Sequence, residues 1–428
     1  MGMKRMALIA AFMVFALSGA VFAGGNQEGA SAAAGGTTNL RVWGWAFTEG
    51  PGPATKELIA KFQEKNPNIK VEINSIPWNQ AHDQIIVMLQ AHSVPDLIGV
   101  NRNWLTEFVT SDYLADLTPF VAKVPGLKDK FFPAVRGDLD GKTWIIPWYG
   151  GNSALIYDVD AFKKAGLEPP KTLDEFVQDA KKLSDPSQNK FGTIWNLSSA
   201  NPTGGNVTNI GPILTSFGGQ YLRDKKAAFN DAAGVKTLEW MMDLEKRGLA
   251  APGSISVDAR AMREKLAGGT VAMTFDGAWG TPFYNNYPNV HIGIAEMPKG
   301  TNIGTVINVA NWGIAKEAKQ KDAAWALLSY FVQDDNLINY YRSANVMPLV
   351  PKMAQMPEFQ TKYGGFLSTL SDTDNFFQTG SVPQESELYR LVIQAYQEAF
   401  LGKKSPKQAL DDAAAAYNKI LEQFYASK

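Results

Sequence analysis

The chain has 428 residues, more than one hydrophobic core usually serves, so two lobes are expected. Hydrophobic residues make up 45% and charged residues 19%, and 41 basic against 42 acidic side chains leave a formal charge of -1, which excludes the basic footprint of a nucleic-acid binder. The cysteine count is 0, which removes thiol catalysis, zinc–cysteine sites and disulfides together.

Lys4 and Arg5 form a basic start to an apolar run from Met6 to Leu17, and Val21-Phe22-Ala23 ends in the small residues that signal peptidase requires. Residues 1–23 are expected to be a signal peptide cleaved after Ala23, and 24–38 a flexible leader of small residues. Leu17-Ser18-Gly19-Ala20 has the form of a lipoprotein box with Ala20 in place of the lipidated cysteine. The mature protein is therefore expected to be periplasmic or secreted, without an anchor and without a later membrane span.

Leu40 to Trp43, Ile69 to Ile73 and Pro95 to Val100 read as strands, separated by helical spacing over Pro53–Lys65 and around Ile85, Ile86 and Leu89. Strand–helix–strand–helix–strand predicts an α/β, doubly wound parallel sheet, in which ligands bind beyond the carboxyl ends of the strands. Those ends carry Trp45 and Glu49, then Trp78, then Asn101, Asn103 and Trp104. Each pairs an indole, a flat face for a sugar ring, with amides or a carboxylate that can meet hydroxyls.

From Gly141 to Asp160 two apolar runs flank Pro147, Trp148, Tyr149, Gly150, Gly151 and Asn152, which predicts a strand end or strand edge at Pro147 and a crossing between lobes. Gly150 and Gly151 are expected either to act as a hinge or to permit close strand packing. Thr172 to Glu175 is a capping box. Phe191 to Asn196 reads as a strand ending in Trp195, and Thr270 to Phe275 as one stopping at Asp276-Gly277-Ala278-Trp279. Gly304 to Ile314 reads as strand, turn and strand returning to the first lobe, with Trp312 near its end; Tyr149, Asn152, Trp195 and Trp312 are further candidate ligand contacts. Asn345 to Pro348 reads as a third crossing, and the C-terminal part as helical.

Taken in order, Gly141–Pro147, Ala154–Asp158, Phe162–Thr172, Gly269–Thr274, Asp276–Trp279 and Trp312–Lys316 resemble the extracellular solute-binding proteins of ABC importers, in the large sugar-binding family that includes maltose-binding protein. The resemblance runs from about Asn39 to the C-terminus. It implies a type II periplasmic-binding-protein fold, two lobes joined by crossover strands, with 39–147 plus 305–344 as the N-terminal lobe and 148–304 plus 345–428 as the C-terminal lobe. It also implies a monomer that carries a carbohydrate to ABC permease subunits, without a cofactor. Trp279 falls where the family stacks an indole on sugar, Asn101–Trp104 where it has polar and aromatic contacts, and Trp45–Glu49 in its first cleft loop. Ala310-Asn311 stands where the family often has a glycine pair.

Enzyme readings find little support. His82, His92 and His291 lack metal-site spacing, and Gly137–Thr143 is one residue short of a phosphate-binding loop. A glycosidase would need two carboxylates, for which Glu49 and Asp276 are the candidates, but both serve more simply as hydroxyl acceptors. A polyol or a glycerophospho compound is the alternative solute.

Overall fold

Alternation of side chains sets the first strands. Leu40 and Val42 turn one face of Thr38–Gly44 (β1) inward, fully buried. The following helix, Gly52–Lys65 (α1), opens on a proline in its first turn, buries Leu58, Ile59 and Phe62 on one stripe, and stops at Asn66 before Pro67. Ile69–Ser75 (β2) then pairs in parallel with one edge of β1, and Leu97–Asn101 (β3), buried at every position, pairs in parallel with the other. Between them runs Trp78–Gln90 (α2). The doubly wound arrangement expected from the sequence is what forms.

The computed structural model describes residues 36–45, 47, 50–371 and 382–426, and Thr37–Lys428 forms one compact unit. The expected signal peptide, with nearly all of the leader, lies outside the described residues.

The short strand Gly137–Leu139 (β4) leads into the 17-residue strand Lys142–Asp158 (β5). Later come a small hairpin, Leu222–Arg223 (β6) with Lys226–Ala227 (β7), then Met273–Gly277 (β8), Ile292–Ala295 (β9) and Ile307–Ile314 (β10). The first sheet has the order β2-β1-β3-β10-β5-β4, with β10 antiparallel to both β3 and β5. Up to Asn152, β5 pairs with β10; from Ser153 onward it pairs with β8, and from Leu155 with β9 on its other edge. One strand thus belongs to two sheets, and the change of partner falls between Asn152 and Ser153, one residue past Gly150-Gly151.

Three expectations are corrected here. The strand does not end at Pro147: that residue sits opposite Asn311, where the register shifts between Ala310 and Asn311, so the missing N–H is absorbed at a bulge. For the same reason the expected strand, turn and strand over Gly304–Ile314 is a single strand, Ile307–Ile314, paired across the irregularity. Phe191–Asn196 makes isolated bridges, Phe191 to Val271 and Thr193 to Ala250, in place of a full strand. The Thr172 cap forms: its Oγ1 accepts the Glu175 N–H at 3.1 Å, opening the helix Leu173–Leu183, while Glu175 Oε2 accepts the N–H of Lys171, one residue before the cap, at 2.6 Å.

Buried apolar side chains gather into two large clusters. One is built on the first sheet, with Leu40, Ile98, Ile145 and Ile314, and the other on Leu155, Phe176, Phe275 and Tyr417. The helix Pro357–Ser371 packs Phe366 and Leu370 into the first cluster, while Glu385–Phe400 and Pro406–Ala426 supply the second.

Candidate ligand-binding cleft

The carboxyl ends of β1, β2 and β3 bring three indoles together. Trp45 follows β1, Trp78 opens α2, and Trp104 closes the turn Arg102–Trp104 after β3, ahead of the helix Leu105–Thr110 (α3). Trp45 meets Trp78 and Trp104 edge-on at ring-centroid distances of 4.9 and 5.2 Å, and Trp78 stacks on Trp104 at 5.5 Å. Such pairs each add about 0.5–1.5 kcal/mol beyond area burial, so the three rings hold one another in place. Trp104 is backed by Phe108 and by His82, one turn along α2 from Trp78. His82 Nε2 lies 2.9 Å from Glu107 Oε2 on α3 and its Nδ1 lies 3.1 Å from Asp83. Burial alone would lower the pKa of this imidazole, but the hydrogen bonds and charges of Glu107 and Asp83 outweigh it and raise the pKa above its ordinary value of 6.5.

On the other side, β8 ends in Asp276-Gly277-Ala278-Trp279-Gly280. A Cβ on Gly277 would fall 2.1 Å from Trp279 Cζ2, so the indole packs flat on the glycine backbone. A Cβ on Gly280 would fall 2.5 Å from Asp276 Oδ2 and 2.6 Å from Arg263 Nε. Those two side chains form a bidentate ion pair at 2.6 and 2.8 Å, with Asp276 only 1% exposed, and Asp276 Oδ1 also accepts the Gly277 N–H. Arg263 comes from the helix Ala259–Ala267.

Amides complete the arrangement. Asn101 Oδ1 accepts the Asn103 backbone N–H at 3.0 Å, and Asn101 Nδ2 donates to Asn308 Oδ1 on β10 at 2.7 Å. Asn201 Oδ1 accepts the Gly204 N–H at 2.9 Å. Gly150 and Gly151 have φ of +132° and +146°, and a Cβ on Gly150 would lie 2.4 Å from Asn308 O. Close strand packing therefore requires glycine at that position.

These pieces surround one cavity of about 120 Å³, continuous with solvent. Trp45, Trp78, Tyr149 and Trp279 give it aromatic walls; Asn101, Asn201, Thr203, Arg263 and Asn308 give it polar ones. No carboxylate is among the described lining residues. A broader hollow, about 530 Å³, lies beside Asp158, Lys164 and Lys182, but Phe191 is the one aromatic among its described lining residues.

Of the residues expected at the site, Trp45, Trp78, Asn101, Tyr149, Trp279 and Gly150 line the cavity. Trp104 backs the indole cluster, Asn103 anchors the Asn101 amide, and Gly151 packs against Met347. Asp276 is sequestered by Arg263, so it is not open to a hydroxyl. Three expected contacts lie in the core instead. Trp195 is fully buried and donates Nε1–H to Met241 O; Trp312 packs against Phe47 and Trp148; Asn152 is fully buried within β5. Glu49 lies outside the described residues. Arg263, Asn308, Asn201 and Thr203 were not singled out by sequence. The run Asn201–Asn209 had the loop composition of a binding segment, but Arg263 has the look of a solvated helix face and Asn308 lies inside an apolar strand.

No helix among the described residues is long and apolar enough to cross a membrane, and no group of three or more His, Cys, Asp or Glu among them could hold a metal.

A cavity of aromatic walls and amides beside a strand shared by two sheets is a site built for a small polar solute. The family of bacterial extracellular solute-binding proteins matches residues 46–337, and the chain belongs to that family. The galactooligosaccharide-binding protein of Bacillus subtilis is 23% identical over 374 residues, 84% of each chain. Two solved structures are similar in fold: an ABC transporter solute-binding protein of Thermotoga lettingae bound with α-D-tagatose, at TM-score 0.81 and 24% identity, covering 90% of this chain and 100% of that one, and one of Agrobacterium radiobacter in complex with ribitol, at 0.77 and 22%, covering 90% and 99%. The fold is the type II periplasmic-binding-protein fold expected from the resemblance, and solute binding is the function of the chain.

Proposed function

We propose that the protein captures a mono- or oligosaccharide in this cavity outside the cell membrane and delivers it, as a monomer released by cleavage after Ala23, to an ABC permease. The observation that carries the reading is the meeting of Trp45, Trp78 and Tyr149 from one side with Trp279 and Arg263 from the other around a single cavity edged by amides. Flat apolar faces with fixed polar groups between them suit the C–H faces and hydroxyls of a pyranose. The names of the galactooligosaccharide-binding relative and of the tagatose-bound neighbour agree with it.

The lobes are 39–147 plus 305–344 and 148–304 plus 345–428, meeting along β5 and β10, with the helix Pro357–Ser371 at the join. A ligand touching both lobes shifts the population toward a closed state, and Gly150-Gly151 is the point where the shared strand turns. Binding without turnover is supported by the burial of Asp276 against Arg263, which removes one half of the carboxylate pair a glycosidase requires. A polyol is the second reading, favoured by the ribitol-bound neighbour. A phosphate-bearing ligand is disfavoured, because Asp276 engages two donors of the one cationic side chain described at the wall.

A thermal-shift screen of the mature protein against saccharides and polyols tests the assignment. A ligand at a hundred times its dissociation constant adds about 2.7 kcal/mol, a shift readily read. Stabilisation by a saccharide supports the proposal; stabilisation by alditols alone supports the second reading.

A further inference from the structure

A backbone N–H can only donate, so the Asn103 N–H held by Asn101 fixes which end of the Asn101 amide is oxygen. The nitrogen end then faces Asn308 and can only donate, so the atom receiving it is Asn308 Oδ1. The orientation of one backbone group is thereby handed through two side chains. Asn308 Nδ2 is left with no partner among the described residues, on a residue that lines the cavity. Asn201 follows the same rule: its oxygen is held by the Gly204 N–H, and its nitrogen is the remaining polar end. Meanwhile Asp276 spends both oxygens on Arg263 and the Gly277 N–H.

We propose that Asn308 and Asn201 are specificity-determining residues that present fixed hydrogen-bond donors to the solute, so that the groups set against them are acceptors that carry no hydrogen of their own: ring, glycosidic or carbonyl oxygens. Asn101 is the positioning residue that sets the polarity of Asn308. The inference rests on the cavity being the solute site, and it deepens that reading by stating which polarity the solute must offer there.

Two near-isosteric substitutions invert that polarity. Asn308→Asp keeps an oxygen for Asn101 Nδ2 and turns the second toward the solute. Asn101→Asp keeps an oxygen for the Asn103 N–H, sets its other oxygen against Asn308, and so turns the Asn308 amide to present oxygen. At about pH 8, where both carboxyls are ionised, each is expected to weaken the best saccharide of the wild-type screen by about tenfold or more, since an acceptor is left facing an acceptor. Side-chain amide exchange followed by ¹⁵N NMR in the ligand-free protein gives a readout that a structural role would not move. Asn101 amide protons are expected to be protected and those of Asn308 to exchange as solvent-facing ones, with Asn308 becoming protected in Asn101→Asp. Wild-type affinity in Asn308→Asp, or protected Asn308 protons in the wild type, overturns the proposal. If no saccharide binds the wild type, the carbohydrate reading fails, and the exchange pattern still decides the polarity of the two amides.

Discussion

Replacing Asp276 with alanine removes the acceptor for two guanidinium N–H groups and for the Gly277 N–H in one step. Asp276 is 1% exposed and Arg263 14%, so solvent can do little to replace what is lost. Removing one partner of such a pair costs about 3–5 kcal/mol, because the charge left behind is desolvated and unpaired. For a chain of this size, with a urea m-value of about 3 kcal/mol/M or more, the unfolding midpoint falls by on the order of 1 M. The assay is urea unfolding followed in parallel by circular dichroism and tryptophan fluorescence. Pairing Asp276→Leu with Arg263→Met leaves no orphaned charge and is expected to restore most of the stability, while solute affinity stays low because the Arg263 wall is gone. A loss below about 0.5 kcal/mol in Asp276→Ala would refute the claim that this pair is a buried, mutually dependent unit.

Trp279→Ala is expected to weaken solute binding by about tenfold, the contribution of one stacked ring, with the fold intact by circular dichroism. Gly150→Ala places a Cβ 2.4 Å from Asn308 O at a φ of +132°, and a strain of roughly 1–3 kcal/mol should appear as a lower melting temperature. His82 titrates above its ordinary 6.5 in the folded protein, because Glu107 and Asp83 outweigh the burial that would lower it. A raised folded pKa means the contribution of this contact is complete below the unfolded pKa and is lost as pH rises through the folded one. Melting temperature measured across about pH 5 to 9 should therefore show a component falling with rising pH, absent in His82→Gln.

Much of the first lobe was legible because its signals are local. Alternation in β1 and β2, the proline at the start of α1 and the Thr172 cap each depend on neighbours in sequence, and the parallel pairing of the first three strands followed from the βαβ rule. The indoles at three strand ends were legible for the same topological reason. Trp195 and Trp312 carried the same local signature but lie in the core, since an indole beside an amide looks alike whether its face meets a cavity or Phe275. Bulges resist reading: Pro147 and Asn311 each look like breaks, and only their pairing shows that two irregularities cancel. Arg263 was hidden by its helix, where charged residues ordinarily face water, and its partner lies 13 residues away across a turn. Asn308 is, with Asn311, one of two amides in an otherwise apolar strand, a signal of buried hydrogen bonds that says nothing of which end faces outward.

A crystal structure of the mature protein with the saccharide that stabilises it best tests the central claim most directly. The account predicts a sugar ring between the Trp45–Trp78 side and Trp279, with ligand oxygens within about 3 Å of Asn308 Nδ2 and Asn201 Nδ2. Density for the ligand in the hollow by Asp158 and Lys182, or a cleft left empty at saturating saccharide, would contradict it.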